Sequence, residues 1–212
     1  MAQAGPTGQD PTPPSGSGSW GEGGGGSSSG FQVKTTVTEK GPAPGIVYAE
    51  LPIRIGAYII DSIILFAAFF VVSIVIVAVF VFTGFWFIGW LITTALYIAG
   101  SAIYFIWSWT NLKASPGQKI LNLETLNAAT GRAITTDQAI RRYIFLFGPS
   151  LAAEVFSFGG FGFAILGTLV GLLAFIYVIY LLYTVSQNPK RQGYHDVQAG
   201  TVVVQRVATA AA

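Results

Sequence analysis

The sequence predicts an all-α membrane protein, a four-helix transmembrane bundle made of two hairpins, with a small cytoplasmic β-structured cap. Three observations predict it. Only 9% of the 212 residues are charged and 52% are apolar, whereas a soluble domain carries about a quarter charged residues. The charges are also segregated: Asp61 is the sole charged side chain from Ile55 to Leu112, and Glu154 the sole one from Tyr143 to Pro189. Each apolar block exceeds the ~20 residues that cross a hydrocarbon core of about 30 Å. Finally, the segments after each block are basic, with Lys113, Lys119, Arg132, Arg141 and Arg142 in one and Lys190 and Arg191 in the other. Basic flanks mark the cytoplasmic side, so an even number of crossings separates them.

Residues 1–30 are rich in Gly, Ser, Pro, Gln and Thr, a composition that buries too little surface to offset the entropy of ordering, and they read as a disordered tail. No charged stretch leads into a short apolar run there, so no cleaved signal is expected. Residues 31–50 form a juxtamembrane segment in which Phe31 to Thr38 alternates like a short strand. Pro42, Pro44 and Gly45 break the chain before the membrane.

The first hairpin occupies residues 51–109. Its first helix begins at Pro52, where the missing N–H is harmless, and runs to Phe82 before Thr83-Gly84. At roughly 45 Å it is longer than the hydrocarbon core, so it tilts or projects into the headgroups. Arg54 and Asp61 lie seven positions apart on one face, separated by about 10.5 Å of rise. Arg54 thus sits at the interface and Asp61 near the bilayer centre. In the second helix, Trp86 and Trp90 at one end and Trp107 and Trp109 at the other fit two aromatic belts. Ala95, Ala99, Gly100, Ser101 and Ala102 between them form a small-residue surface, the expected wall opposite Asp61.

Residues 110–142 read as a cytoplasmic β-hairpin loop: a strand from Gln118 to Leu126, a turn over Asn127 to Gly131 and a returning strand from Arg132 to Thr135. Thr135 and Gln138 have capping-box spacing for the next helix. The SPGQK of Ser115 to Lys119 lacks the spacing of a phosphate-binding loop. The second hairpin, residues 143–186, contains a short, Pro149-interrupted segment followed by a clear span from Phe163 to Ser186 with Gly167 and Gly171 in GxxxG register. The short segment either spans or dips in and returns. Residues 187–212 form a cytoplasmic tail whose β-branched run Thr201 to Val204 is expected to pair with the 110–142 loop.

Several function classes are disfavoured outright. A net charge of +2 gives no basis for nucleic-acid binding. The absence of cysteine excludes disulfides, thiolate metal sites and cysteine nucleophiles, and one histidine leaves a transition-metal site short of ligands. No GxSxG or HExxH occurs, so no enzyme activity and no cofactor are expected. An ionisable group at mid-membrane is costly and invites a functional reading. Asp61 is therefore either a proton or cation site or a structural partner of Arg54, Tyr58 or a group on another helix. Glu154, about 16 Å along its helix from Tyr143, either shares Asp61's depth, where two carboxylates raise each other's pKa, or reaches the outer surface. His195 and Asp196 read as a fixed turn anchoring the tail, since adjacent residues on an extended turn point apart. Gly117, Lys119 and Arg141 are assigned, with His195, to anchoring the loop. Arg54, Arg141 and Arg142 are expected to meet headgroup phosphates.

Three stretches together resemble the RDD family of bacterial membrane proteins: LPIRIGAYIID at Leu51 to Asp61, SPGQKILNLETLNAATGRAITTDQAIRR at Ser115 to Arg142, and RQGYHDVQAGTVVV at Arg191 to Val204. The resemblance covers about residues 48–206, an RDD-like domain of 51–206. It implies that the family's arginine falls on Arg54 and its two aspartates on Asp61 and Asp196. It also implies a multi-pass protein of the bacterial inner membrane, and the basic flanks set both termini on the cytoplasmic side. The long Gly/Ser tail and Glu154 are departures from the family pattern. Two functions are expected from different classes. One is a small transport protein, with Asp61 and Glu154 as candidate sites for a proton or monovalent cation. The other is a non-transporting accessory protein that binds another membrane protein through its cap; a homo-oligomer is a further expected partnership.

Overall fold

A computed structural model of the chain describes residues 41–43, 45–156 and 160–206. The expected strand at Phe31 to Thr38 and the two chain ends lie outside these residues. In chain order the elements are β1 (Ile46–Tyr48), α1 (Leu51–Phe82), α2 (Trp86–Leu112), α3 (Pro116–Ile120), β2 (Leu123–Asn127), α4 (Thr136–Phe156), α5 (Gly160–Gln187), α6 (Tyr194–Ala199) and β3 (Thr201–Arg206). The fold is mostly helical with one three-stranded sheet. Among the described residues, α1, α2 and α5 are long and apolar enough to cross a membrane.

The α1–α2 hairpin turns at Gly84, whose φ of 79° suits a residue without a Cβ. Small residues bring the two helices together. A Cβ on Gly89 would meet Phe80, and one on Gly100 would meet Phe69, each at 2.6 Å. Ala95 and Ala99, by contrast, face outward, so the small-residue wall expected opposite Asp61 packs elsewhere. Asp61 meets Tyr104, two residues beyond that wall.

The helix α4 runs unbroken through Gly148 and Pro149. Proline cannot donate to the carbonyl four residues back, which orphans Phe145 O. The hydroxyl of Tyr177 on α5 donates to that carbonyl at 2.5 Å, the kind of repair a proline needs away from water. Thr135 caps α4 as its spacing predicts: Gln138 N donates to Thr135 Oγ1 at 3.2 Å and Thr135 N to Gln138 Oε1 at 3.1 Å. The GxxxG pair of α5 does not form a close contact at Gly171, where a Cβ would meet nothing within 4 Å.

The sheet has the order β1-β3-β2, with both pairings antiparallel. Its central strand is the β-branched run near the C-terminus, Val202 to Val204, buried on both faces. Val203 and Leu123 pack against Ala49, Ile53 and Ala57 at the start of α1, while Val202, Val204 and Leu126 pack with Ile46 and Tyr48. The expected pairing of β3 with the loop is present, but the expected hairpin within residues 110–142 is not. Gln118 belongs to α3, and Arg132–Thr135 contributes only an isolated bridge from Ala133 to Leu126. β2 pairs instead with β3, whose other edge takes β1, which follows directly on Gly45 at φ 73°.

Candidate functional site

Asp61 faces inward from α1 with 2% of its surface exposed. Opposite it begins α3, whose sequence explains its start: Ser115 is the N-cap, Pro116 occupies the first turn, and Gln118 reaches back. Ser115 N donates to Gln118 Oε1 at 2.9 Å, and that same oxygen accepts from Trp109 Nε1 and Thr125 Oγ1, both at 3.2 Å. This fixed turn presents two donors to Asp61. Ser115 Oγ donates to Oδ2 at 2.5 Å and Gly117 N to Oδ1 at 2.8 Å, while Tyr104 on α2 adds its hydroxyl to Oδ1 at 2.8 Å. Gly117 must be glycine for this approach, since a Cβ there would lie 2.3 Å from Ala57 O and 2.9 Å from Asp61 Cγ.

A second carboxylate, Asp196, is fully buried at the start of α6. Gly193 N donates to its Oδ2 at 3.1 Å, so it caps the helix it begins. Arg54 Nη1 donates to Oδ2 at 2.8 Å, and Arg142 Nη1 and Thr201 Oγ1 donate to Oδ1. Arg54 also donates through Nε to Ala49 O at 3.0 Å and through Nη2 to Val203 O at 3.2 Å. The Arg142 guanidinium lies 5.0 Å over the Trp109 ring, a cation–π arrangement. Two buried guanidiniums thus share one carboxylate and tie α1, α4, α6 and β3 together. His195 stands beside them, its Nε2 3.5 Å from Asp196 Oδ2. Burial, followed by the charges of Arg142 and Arg54, holds its pKa well below the usual 6.5, which leaves the ring neutral at physiological pH. Two buried atoms here have no hydrogen-bond partner, Arg142 Nε and His195 Nδ1.

Between the two carboxylate centres lies a cavity of about 270 Å³. Asp61, Arg54, Arg142 and His195 line it together with Ser115, Gln118 and Ser150, and an apolar remainder that includes Tyr58, Phe105, Leu146 and Val178 comes from α1, α2, α4 and α5.

The placement of the individual residues departs from the sequence reading in several ways. Arg54 pairs with Asp196 rather than with Asp61, because the tail folds back under the start of α1. Arg54 and Arg142 are buried rather than at headgroups. Arg141, 59% exposed, forms a surface pair with Asp137 at 3.0 Å, and Lys119 is exposed at the end of α3. Glu154 is exposed near the end of α4 and does not line the cavity. His195 and Asp196 lie in a short helix, not an extended turn. The residues missed are Tyr104, Ser115, Arg142 and Thr201. Arg142 had a readable signal: with Ala139, Tyr143 and Leu146 it forms the inner stripe of α4 at helical spacing. Among the described residues no three His, Cys, Asp or Glu side chains converge as metal ligands would.

Neither the comparison with curated proteins nor that with solved structures gives a match. The family comparison does: the RDD family model matches residues 48–200, a span that holds Arg54, Asp61, Arg142 and Asp196. The chain is a membrane protein of the RDD family.

Proposed function

We propose that this chain is a non-enzymatic transport protein in which Asp61 takes up a proton or a monovalent cation at the cavity between bundle and cap. The observation that carries the reading is that Asp61, almost wholly buried in a helix built to cross a membrane, lines that cavity and is held largely by hydroxyls. The oxygens of Tyr104 and Ser115 are ligands as well as donors, since each can turn its proton away from an arriving cation. A proton on Asp61 would weaken its contact with Gly117 N and loosen α3 from α1, which links the charge of the site to the seating of the cap. The test is flux: purified protein in liposomes moves protons or monovalent cations, and Asp61→Asn stops it.

The same reading has four crossings and a cytoplasmic cap. β1 before α1, α3 after α2 and α6 after α5 all join one cap, and Gln138 in the first turn of α4 donates to Gly200 O in that cap at 3.1 Å. That α4 starts at the cap and α5 ends there supports a crossing by α4. Its 21 residues supply about 31 Å of rise. The basic residues around the cap, Lys113, Arg132, Arg141, Lys190 and Arg191, support a cytoplasmic side for it.

A second reading has an observation of its own. Asp61 receives three donors and Asp196 two guanidiniums, so the same residues fasten the cap to the bundle. An accessory protein that presents this cap to another membrane protein would need no more. In that case liposomes show no flux.

A further inference from the structure

We propose that a stripe of hydroxyls on α2, joined by Tyr143 of α4, relays protons between Asp61 and Glu154, which makes the proton the transported ion. The inference rests on the transport reading and narrows it. Within a helix long and apolar enough to cross a membrane, Tyr97, Ser101 and Tyr104 stand at i, i+4 and i+7. That spacing sets three hydroxyls on one face over about 10.5 Å of rise. Each meets a polar group on another helix. The Tyr104 hydroxyl donates to Asp61 Oδ1 at 2.8 Å, Ser101 Oγ lies 2.7 Å from the Tyr143 hydroxyl, and Tyr97 stands within electrostatic range of Glu154 near the far end of α4. Tyr58, which lines the cavity with Asp61, stands within the same range of Asp61, Tyr97 and Tyr143 and closes the cluster.

The Ser101–Tyr143 pair carries the argument. Both side chains are buried, and either oxygen can donate to the other. Each also has a second acceptor in Ile98 O, 3.1 Å from Ser101 Oγ and 3.4 Å from the Tyr143 hydroxyl. The pair thus has two complete arrangements. In one, Ser101 donates to Tyr143, which donates to Ile98 O; in the other, Tyr143 donates to Ser101, which donates to Ile98 O. A relay needs both, because the passage of a proton leaves every hydroxyl turned the other way and each must rotate back before the next. A pair that only holds two helices together needs one.

The proton count closes. One proton leaves the Glu154 carboxyl and one arrives on the Asp61 carboxylate, while each hydroxyl between them breaks one O–H bond as it forms another and keeps its own count. Gaps of about one helical turn separate successive members, and bridging water spans them. A metal cation is served poorly by the same stripe. It needs several oxygens at every step to replace its hydration shell, and the stripe offers one or two per turn.

Proton flux in liposomes under an imposed pH gradient tests this, with the full chain reconstituted and internal pH read from an entrapped dye. Ser101→Ala and Tyr143→Phe are each expected to slow the flux at least tenfold while melting in detergent within a few degrees of the parent, and Glu154→Gln to slow it similarly. The two pair variants combined should be no slower than the slower one alone, as members of a single step require. Thr93→Val, which removes a hydroxyl bonded to its own helix at Gly89 O, 2.9 Å away, should run at the parent's rate. Flux at the parent's rate in both Ser101→Ala and Tyr143→Phe, with Asp61→Asn silent, would overturn the relay and leave the transport reading standing. A parent that moves sodium or potassium ions but not protons would do the same. Loss of flux matched in both pair variants by a collapse in melting temperature would assign the pair to packing and overturn the relay. A parent that moves no ion at all would overturn both.

Discussion

Gly117→Ala isolates the junction between cap and bundle, because it adds one methyl group where the backbone of α1 stands closest. The new Cβ would lie 2.3 Å from Ala57 O, 2.9 Å from Asp61 Cγ and 3.0 Å from Asp61 N. Two of these neighbours are helix backbone, so no rotamer relieves the overlap. The segment must retreat by about 1 Å to reach ordinary contact, which lengthens the bonds from Gly117 N and Ser115 Oγ to Asp61 beyond hydrogen-bonding range. Hydrogen bonds to a charged group contribute about 1.5–3 kcal/mol each, and overpacking costs about 1–3 kcal/mol. Partial relaxation makes roughly 3–5 kcal/mol a fair total. For a chain of this size about 2–4 °C of melting temperature goes with each kcal/mol, so a drop on the order of 10 °C is expected. The assay is thermal unfolding of purified protein in detergent, with Gly171→Ala as the matched control. A Cβ at Gly171 meets nothing within 4 Å, and the same change mid-helix there should stabilise by about 0.5–1 kcal/mol. A Gly117→Ala protein that melts within about 2 °C of the parent would refute the described approach of α3 to α1.

Three further outcomes follow from the same geometry. Asp196→Asn strands two buried guanidiniums and should cost about 3–5 kcal/mol, whereas Arg141→Gln, which breaks an exposed pair, should stay within about 0.5 kcal/mol; equal effects in thermal unfolding would contradict the placement of the two arginines. His195 has a folded pKa well below its unfolded value near 6.5, so between the two the unfolded chain holds more protons. Its contribution is therefore present above about pH 6.5 and is lost as pH falls, at no more than about 1.4 kcal/mol per pH unit, and unfolding measured from pH 7.5 to 5 should show a shallower acid slope in His195→Gln. Since the chain has no cysteine, single cysteines at Lys113 and Lys190 report sidedness cleanly: both should resist an impermeant maleimide in intact cells while Thr83→Cys reacts, and labelling of Lys190→Cys alone would remove the fourth crossing.

The membrane-facing helices were legible because charge segregation, aromatic ends and turn residues are local signals, and their observed bounds lie within a few residues of those expected. Family membership was legible from three short stretches. Partnerships were harder. Arg54 and Asp61 share a helical face, which made them look like a pair, yet Asp196 reaches Arg54 from far along the chain. No periodicity carries that information. The SPGQ turn looked like a failed phosphate loop because its true partner, a carboxylate on α1, is likewise distant in sequence. The cap misled for a similar reason: a hairpin is the local solution to a strand-turn-strand pattern, but Val202 to Val204 supplies a more apolar partner for Leu123–Asn127 than Arg132–Thr135 does. Arg142 was readable in principle, from helical spacing with Ala139, Tyr143 and Leu146.

The most direct measurement on the transport reading compares flux and folding in one preparation of Asp61→Asn. Asparagine keeps an oxygen for Gly117 N and Tyr104, and its amide can donate to Ser115 Oγ, so the fastening survives while the titratable carboxylate is gone. With the parent protein moving protons or monovalent cations into liposomes, the variant is expected to melt within a few degrees of the parent and to carry no flux above protein-free liposomes. Flux at the parent's rate in a variant that folds normally would contradict the assignment of Asp61 as the ion-binding group.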